Sequence, residues 1–366
     1  MKPTRKDIDI IQSRLPAWYR KNQRNLPWRE TDDPYSIWVS EVMLQQTQVN
    51  TVMPFYIEFL KRFPTMNRLA EATQQQVLKS WEGLGYYARA RNFHRAAQIV
   101  MAQHNGIIPD TYQEFKALPG VGDYIAAAVL SIAFKAPYAV VDGNVKRVFS
   151  RLFCLDQAIN HPSAKKTFST LADSLLDRQR PDQFNQALME LGALICKPEP
   201  QCRACPLKIR CGAFRTKRVG EYPKKIKKNP TPTHHLVAGV VWRRKKVLIT
   251  QRKADGLLGG LWEFPGGTVR GQEAPPNACL RQIRQEAGLV VEMEDHITRV
   301  KHAYTHFKII MDVYCCRYIT GKIKLAQPAD YRWITLDQIP DFPFHKAIHK
   351  FIPDLKKCPP ATGQRA

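Results

Sequence analysis

The sequence predicts a multidomain α and α/β chain: an all-α first part, then a smaller α/β domain. Three observations predict it. Up to about residue 215, apolar residues recur at helical spacing. From residue 235 they fall instead into short β-branched runs with one helix-like segment among them. Between the two lies "RTKRVGEYPKKIKKNPTPT" (215–233), basic, Pro-bearing and without apolar period, which reads as an exposed linker. A length of 366 residues agrees with two domains at roughly 150 residues each. The expected division is 1–217, a linker over 218–233, a second domain over 234–353, and a disordered tail over 354–366.

Taken in order, "PYSIWVSEVMLQQTQV" (34–49) places Ile37, Val39, Val42, Met43, Leu44 and Val49 at helical spacing. "TFSTLADSLLD" (167–177) and "FNQALMELGALI" (184–195) do the same. The joints "FPT", "LPGVG" and "DGN" carry Pro and Gly, which suit tight turns between helices. In the second part, "HLVAGVVW" and "KVLITQR", split by "RRKK", read as a hairpin. "PPNACLRQIRQEAG" (275–288) reads as a helix with Pro in its first turn. "ITRVKHAYTHFKIIMDVYCCRYI" (297–319) reads as two further strands, and no internal repeat is visible.

Charge narrows the function. Fifty-six Lys plus Arg against 32 Asp plus Glu give a net +24 and a pI near 9.8. Such an excess fits a polyanionic partner, with solubility by charge as the plainer reading. The amino-terminal "MKPTRKDIDI" leads into no apolar signal region. The longest uncharged apolar run, 124–134, is far short of the roughly 20 residues that span a bilayer. A soluble intracellular protein without membrane contact is expected. In that setting nine cysteines do not point to disulfides. Cys154, Cys279, Cys315, Cys316 and Cys358 are scattered and read as buried or incidental thiols.

Four features carry chemistry. In "LPGVGDYIAAAVLSIAF" (118–134), Gly120 and Gly122 allow a tight turn around Val121 that bares backbone N–H groups at a helix N-terminus, a natural phosphate site. Glycines serving only an αα-hairpin are the plainer reading. Glu41 lies among Trp38, Val39, Val42 and Leu44; burial there would raise its pKa and keep it protonated near neutral pH, whereas a surface position would make it an ordinary helix glutamate. Asp142, ahead of "GNVKRVF", is a plausible N-cap held ionised by the helix dipole. Cys196, Cys202, Cys205 and Cys211 form a C-x5-C-x2-C-x5-C run, and four such thiolates need a metal centre, either zinc or an iron–sulfur cluster.

"LPGVG" with its following helix resembles the helix–hairpin–helix of base-excision DNA glycosylases. "VDGNVKRV" (141–148) resembles the next element of that superfamily. With "WVSEVMLQQTQV" and "GLGYYARARN" (83–92), the likeness extends over nearly the whole chain to the adenine DNA glycosylases of the MutY type. That resemblance implies cleavage of the N-glycosidic bond of adenine mispaired with 8-oxoguanine or guanine in double-stranded DNA, by a monomer in the bacterial cytosol. It implies Glu41 as the acid that protonates adenine and Asp142 as the anion beside the sugar, with Asn144 as its partner. Tyr124 stands where relatives that also cut the backbone carry a Schiff-base lysine, which implies base removal without a strong lyase step. Arg24, Leu26, Trp28, Arg29, Leu44, Gln186 and Glu190 are implied as the adenine pocket. Gln46 and Tyr86 are implied as residues that wedge into the duplex around the flipped base. The resemblance favours a single 4Fe–4S cluster and no catalytic metal, although the first cysteine spacer is one residue shorter than the family's.

The second domain resembles a Nudix hydrolase that has lost its chemistry. Gly267, Glu273, Arg281, Ile283, Glu286, Gly288 and Leu289 fit the Nudix pattern, but two of its metal-binding glutamates are Gln282 and Gln285. A hard cation needs several anionic oxygens, and glutamine offers a neutral one. In adenine glycosylases such a domain recognises 8-oxoguanine; Tyr304, Thr305 and His306 resemble the Phe-Ser-His recognition loop. His345 and His349 have i,i+4 spacing but no third zinc ligand. The rivals are a bifunctional glycosylase/lyase, which Tyr124 opposes; a non-catalytic damage binder, which Glu41 with Asp142 opposes; and a nucleotide pyrophosphatase, which Gln282 and Gln285 oppose.

Overall fold

The Thr4 hydroxyl accepts from the Asp7 amide while the Asp7 carboxylate accepts from the Thr4 amide, so two orphan donors at the start of α1 (Arg5–Asn22) are satisfied together. Asp33 caps α2 (Pro34–Leu44) through the Tyr35 and Ser36 amides. The helical run expected over 34–49 breaks after Leu44: Gln46 takes a left-handed φ of 58°, and Val49, although apolar at the right spacing, opens α3 (Val49–Arg62). Then follow α4 (Met66–Glu71), α5 (Gln74–Ser80), α6 (Ala88–Gln103), α7 (Tyr112–Ala117), α8 (Asp123–Ala133), α9 (Gly143–Leu152), α10 (Ala164–Leu175), α11 (Pro181–Leu194) and α12 (Gly212–Arg215).

The computed structural model describes residues 3–227 and 230–358. They fall into two units, Met1–Ala70 with Arg95–Lys228, and Glu71–His94 with Asn229–Ala366. The first is all helical. One of its core clusters joins Ile11 and Leu15 of α1, Val148 and Phe149 of α9, Phe168 and Leu171 of α10, and Phe184 and Leu188 of α11. The expected exposed linker is partly built in here. Tyr222 is buried, its carbonyl accepts from Arg151 Nε at 3.1 Å, and Asn160 and Ile226 exchange two bonds of 2.9 Å. A buried aromatic among the lysines and backbone bonds at Ile226 anchor a stretch that otherwise looks solvated.

The second unit centres on a mixed sheet: β1 (Thr233–Arg243), β2 (Lys246–Gln251), β3 (Trp262–Glu263), β4 (Gly266–Thr268), β5 (Val290–Ala303), β6 (Lys308–Thr320) and β7 (Asp330–Ile334). The path is β3-β2-β1-β6-β5, with β4 on β1 and β7 on β2; β1 and β6 run parallel and β5 and β6 antiparallel. The expected hairpin is β1–β2, paired Trp242 to Val247. Alternation divides β1 between two layers. Val237 and Val241 face Ala278 and Ile283 of α13 (Pro275–Ala287), while Ala238, Val240 and Trp242 face Phe264, Phe344 and Phe351.

Residues 71–94 pack with this sheet. Val77, Leu78 and Trp81 are buried, Gln75 bonds the Gly260 carbonyl and the Trp262 indole at 2.9 Å each, and Tyr87 Oη donates to the Phe344 carbonyl at 3.2 Å. An amphipathic helix shows which face it buries but not what receives it, so nothing in the sequence marks this assignment. The tail also begins later than expected. Ile352–Lys357 forms a 3₁₀ turn with Leu355 and Cys358 buried; residues 359–366 lie outside the described part. That turn brings Cys358 to Cys315, Cα atoms 5.7 Å apart, as a disulfide where only free thiols were expected. The fold brings together two residues 43 positions apart in sequence. Among the described residues no helix is long and apolar enough to cross a membrane.

Candidate active site

Burial of α2 fixes the state of Glu41. The helix is apolar nearly all round, and Glu41 is 4% exposed. Its Oε2 accepts from Tyr124 Oη at 2.6 Å. Burial raises its pKa to about 7, the Tyr124 bond and Arg29 oppose the rise, and the nearby Asp142 charge adds to it. Tyr124 itself is pushed well above the usual tyrosine range by burial and by Glu41 and Asp142, so it remains a neutral donor.

Asp142 caps α9, accepting from the Val145 amide at 2.6 Å and from Asn144 Nδ2 at 2.9 Å. The cap is as expected, but burial lifts the carboxyl above the ordinary range even against these bonds and the Arg147 charge. Asp142 has several partners that favour its anion, and Glu41 has one hydrogen bond. The two carboxyls are therefore set apart in acidity. Asn144 is held in turn: its Oδ1 accepts from Arg147 Nη2 at 2.7 Å, and Arg147 also bonds the Gly192 and Cys196 carbonyls at 2.8 and 2.6 Å. A Cβ on Gly192 would lie 2.5 Å from that of Asn144, so only glycine lets α11 come this close to α9.

Glu190 of α11 is buried and receives five hydrogen bonds. Arg24 donates from its backbone N, Nε and Nη2 at 2.6–2.9 Å, and Arg29 from Nη1 and Nη2 at 3.0 and 2.8 Å. Burial alone would raise this carboxyl, but the two guanidinium groups hold it at about 2. Arg24, Leu26, Trp28, Arg29, Leu44, Gln186 and Glu190 line the same cleft as Glu41, Tyr124, Asp142 and Asn144. Sequence reading missed Ser40, Thr47, Gln48, Asn50 and Met189, which also line it, and Arg147 behind it. The polar ones sit beside recognised motif residues, a signal too common to use. Arg147 lies inside "VDGNVKRV", where its i,i+3 spacing from Asn144 is the signal that could have found it.

The glycine turn leads into α8 as expected: Gly120 has φ +79°, Val121 is buried, and Gly122 is the N-cap without a side-chain acceptor on the first-turn amides. Asp123 would repel a phosphate there, but Lys116 and Lys165 both pair with it and hold its carboxyl far down. Gln46 and Tyr86 are exposed at left-handed φ values of 58° and 51°. A non-glycine residue there costs of order 1–3 kcal/mol, and such strain clusters at functional surfaces.

Residues 39–175 match the family described as HhH-GPD superfamily base excision DNA repair protein, and residues 237–354 match the NUDIX domain. The chain is 32% identical over 387 residues to an adenine DNA glycosylase of Mus musculus, across 91% of this chain and 75% of that one. It is 38% identical over 298 residues to an adenine DNA glycosylase of Buchnera aphidicola, across 81% and 82%. The chain belongs to the adenine DNA glycosylases. Its activity is removal of adenine by N-glycosidic cleavage in base excision repair. A solved structure described as a thermostable thymine-DNA glycosylase is also similar, with TM-score 0.54 and 29% identity over 58% of this chain and 98% of that one.

In this adenine DNA glycosylase the four cysteines line one small pocket with Arg151, Lys208 and Phe214. Burial and the neighbouring thiols push Cys205 up to about 12 and Cys211 to about 11. Four thiols lining one pocket beside two cations, at least Cys205 and Cys211 of them reluctant to ionise, fit a site whose metal centre would supply the charge that deprotonates them. The donor set suits a four-thiolate cluster. Among the described residues no group of three or more His, Cys, Asp or Glu side chains, these four cysteines included, is already drawn together as metal ligands.

The degenerate hydrolase motif keeps its frame. Arg281 donates twice to Glu273 at 2.8 and 2.7 Å, and Glu286 accepts from the Gly266 amide at 2.9 Å. Gln282 Nε2 donates to the Thr268 carbonyl at 3.1 Å, and Gln285 accepts from Arg281. At the β5–β6 turn, Thr305 and His306 are exposed, but Tyr304 turns inward to stack on Phe307 and bond His345 at 3.2 Å. The implied recognition loop thus presents two of its three side chains. His349 bonds Glu82 at 2.9 Å, so the two histidines serve different partners.

Proposed function

We propose that the enzyme removes adenine paired with 8-oxoguanine, and with guanine, from double-stranded DNA and leaves the strand intact. The observation that carries this is a buried Glu41 held near pKa 7 in one cleft with an Asp142 that four dipoles and charges favour as the anion. Adenine leaves only if a ring nitrogen gains a proton and the sugar carbon tolerates oxocarbenium character. Glu41 gives the proton. Asp142, oriented by Val145 N and Asn144, stabilises the cation, and water then takes the place of the base. The Arg24–Glu190–Arg29 clamp forms a rigid polar wall for the flipped adenine, with Leu26, Trp28, Leu44 and Gln186 around it.

The Gly120 and Gly122 amides, on either side of a Val121 whose own N–H closes the turn on the Leu118 carbonyl at 3.1 Å, bind a backbone phosphate. Gln46 and Tyr86 enter the duplex, where their strained backbone already projects them outward. Cys196, Cys202, Cys205 and Cys211 would hold one 4Fe–4S cluster, which would supply charge and a crosslink to order the basic loop. Thr305 and His306 read 8-oxoguanine. Duplexes with adenine opposite 8-oxoguanine, guanine, cytosine or thymine test the reading: release should be fastest with the first and measurable with the second. Equal release from all four, or strand breaks without alkali, would overturn it.

A further inference from the structure

Tyr124 has one hydroxyl hydrogen and two acceptors beside it. Glu41 Oε2 lies 2.6 Å from Tyr124 Oη, and the Met189 sulfur lies 3.8 Å from it. As the residues stand the contest is one-sided, because a thioether sulfur is a weak acceptor and a carboxyl oxygen a strong one. Met189 lies on α11, next to the clamped Glu190 and three residues after Gln186. It is half-buried and lines the cleft. Among the described residues no other methionine lines that cleft, and Met43, on the same helix as Glu41, is fully buried. A small solute that enters the cleft therefore meets one thioether, and that thioether faces the partner of the acid.

A peroxide oxidises a thioether in one step. The sulfur lone pair attacks one peroxide oxygen, the O–O bond breaks, and the products are the sulfoxide and water. The sulfur is oxidised and the peroxide reduced. A sulfoxide is polar where the thioether was apolar. Its oxygen stands one bond beyond the sulfur, and pointed at Tyr124 it comes within hydrogen-bond range of Oη. We propose that Met189 is an oxidation site and that its sulfoxide draws the Tyr124 hydrogen away from Glu41. Glu41 then loses the bond that favours its ionised form and keeps its proton to higher pH. The other charged or titratable groups around the acid are untouched by the change: Arg29 ahead of α2, Asp142 at the cap of α9, Glu190 with Arg24 on it, and Lys197 beyond α11. Oxidation at Met189 thus tunes the acid without touching it. The inference rests on Glu41 as the proton donor, as proposed above.

The test treats the full chain with hydrogen peroxide, maps methionine oxidation by mass spectrometry, and follows the alkaline limb of the single-turnover pH profile. Met189 should gain one oxygen, and a duplex bound in the cleft should protect it. The limb should move up by about one pH unit, the size of one hydrogen bond to a charged group. The two methionine sulfoxide reductases, one for each epimer, should move it back, which separates the sulfoxide from peroxide damage to the cysteine loop. Met189→Leu keeps an apolar side chain of similar volume, and its limb should not respond to peroxide. Tyr124→Phe leaves no hydrogen to contest, so oxidation of that variant should move its limb no further. A Met189 that stays unoxidised, a limb that stays in place in oxidised wild type while Tyr124→Phe moves it, or an equal response in Met189→Leu overturns the inference and leaves Glu41 as the acid. If Tyr124→Phe itself leaves the limb in place, the limb does not report Glu41, and the reading beneath falls together with the inference.

Discussion

Tyr124 Oη lies 2.6 Å from Glu41 Oε2, as a neutral donor to a carboxyl that burial lifts to about 7. The same position holds the residue that would have to be an amine for a Schiff-base step. That hydroxyl limits how far burial raises the acid, and under the proposed reading it also withholds lyase chemistry.

Replacing Tyr124 by Phe removes the bond that opposes burial. Glu41 should then stay protonated to higher pH, and the alkaline limb of the single-turnover pH profile should move up by about one unit, the size of one hydrogen bond to a charged group. Borohydride should trap no more covalent adduct than in wild type. A limb that stays in place would show that another group sets it.

Glu41→Gln should abolish adenine release while duplex binding persists, and it should also change stability in a defined direction. A carboxyl raised from 4.5 to about 7 binds more protons folded than unfolded across that interval, so its contribution is full below pH 4.5 and is lost as pH rises through 7. The loss is about 3 kcal/mol at most. The variant should therefore be more stable than wild type at pH 8 and match it near pH 4.5. Melting curves at the two pH values decide; a variant less stable at pH 8 would mean that the ionised carboxylate is well solvated there.

Arg147 ties Asn144, and through it Asp142, to the carbonyl of Cys196. Arg147→Lys cannot span three acceptors from one point charge. Single-turnover release should fall about ten- to a hundredfold, as supporting partners of a site commonly cost when removed, with the acid limb of the pH profile displaced as Asp142 loses its orienter. Cys202→Ser should lower iron content and duplex affinity together. Full activity in Arg147→Lys at normal iron content would show that the bridge is only packing.

Much of this site was legible before any coordinates. A glutamate inside an apolar helical run, an aspartate ahead of "GNVKRV" and four close cysteines each carry their chemistry in local sequence. Other features depend on distant elements. The clamp on Glu190 needs Arg24 and Arg29 brought from the far end of the chain. The packing of 71–94 on the second unit and the Cys315–Cys358 bond are settled by which surfaces meet, and periodicity is silent on that. The rise in Asp142 was missed because an N-cap position argues for the anion, whereas burial around it is a tertiary property. The orientation of Tyr304 is hidden for a related reason: an aromatic in a turn can face either way, and here His345 and Phe307 draw it inward.

The degenerate hydrolase motif yields the last prediction. Glu286 is the surviving glutamate of its helix, raised to about 7 by burial and by Glu263 nearby, while Gln282 and Gln285 use their amides to bond Thr268 and Arg281. A carboxyl already reluctant to ionise, flanked by neutral amides, lacks the charge to hold a hard divalent cation. Wild type should hydrolyse no nucleoside triphosphate with added magnesium, and millimolar magnesium should leave its melting temperature unchanged. Substituting both Gln282 and Gln285 by Glu puts two more carboxyls beside Glu286. Without a cation their repulsion raises Glu286 further and opposes folding, so the variant should melt lower than wild type near pH 8. Magnesium should then restore several degrees by binding the folded state. A wild-type melting temperature that itself rises with magnesium would mean that the cation site survived the two substitutions, and that the motif was kept for more than its frame.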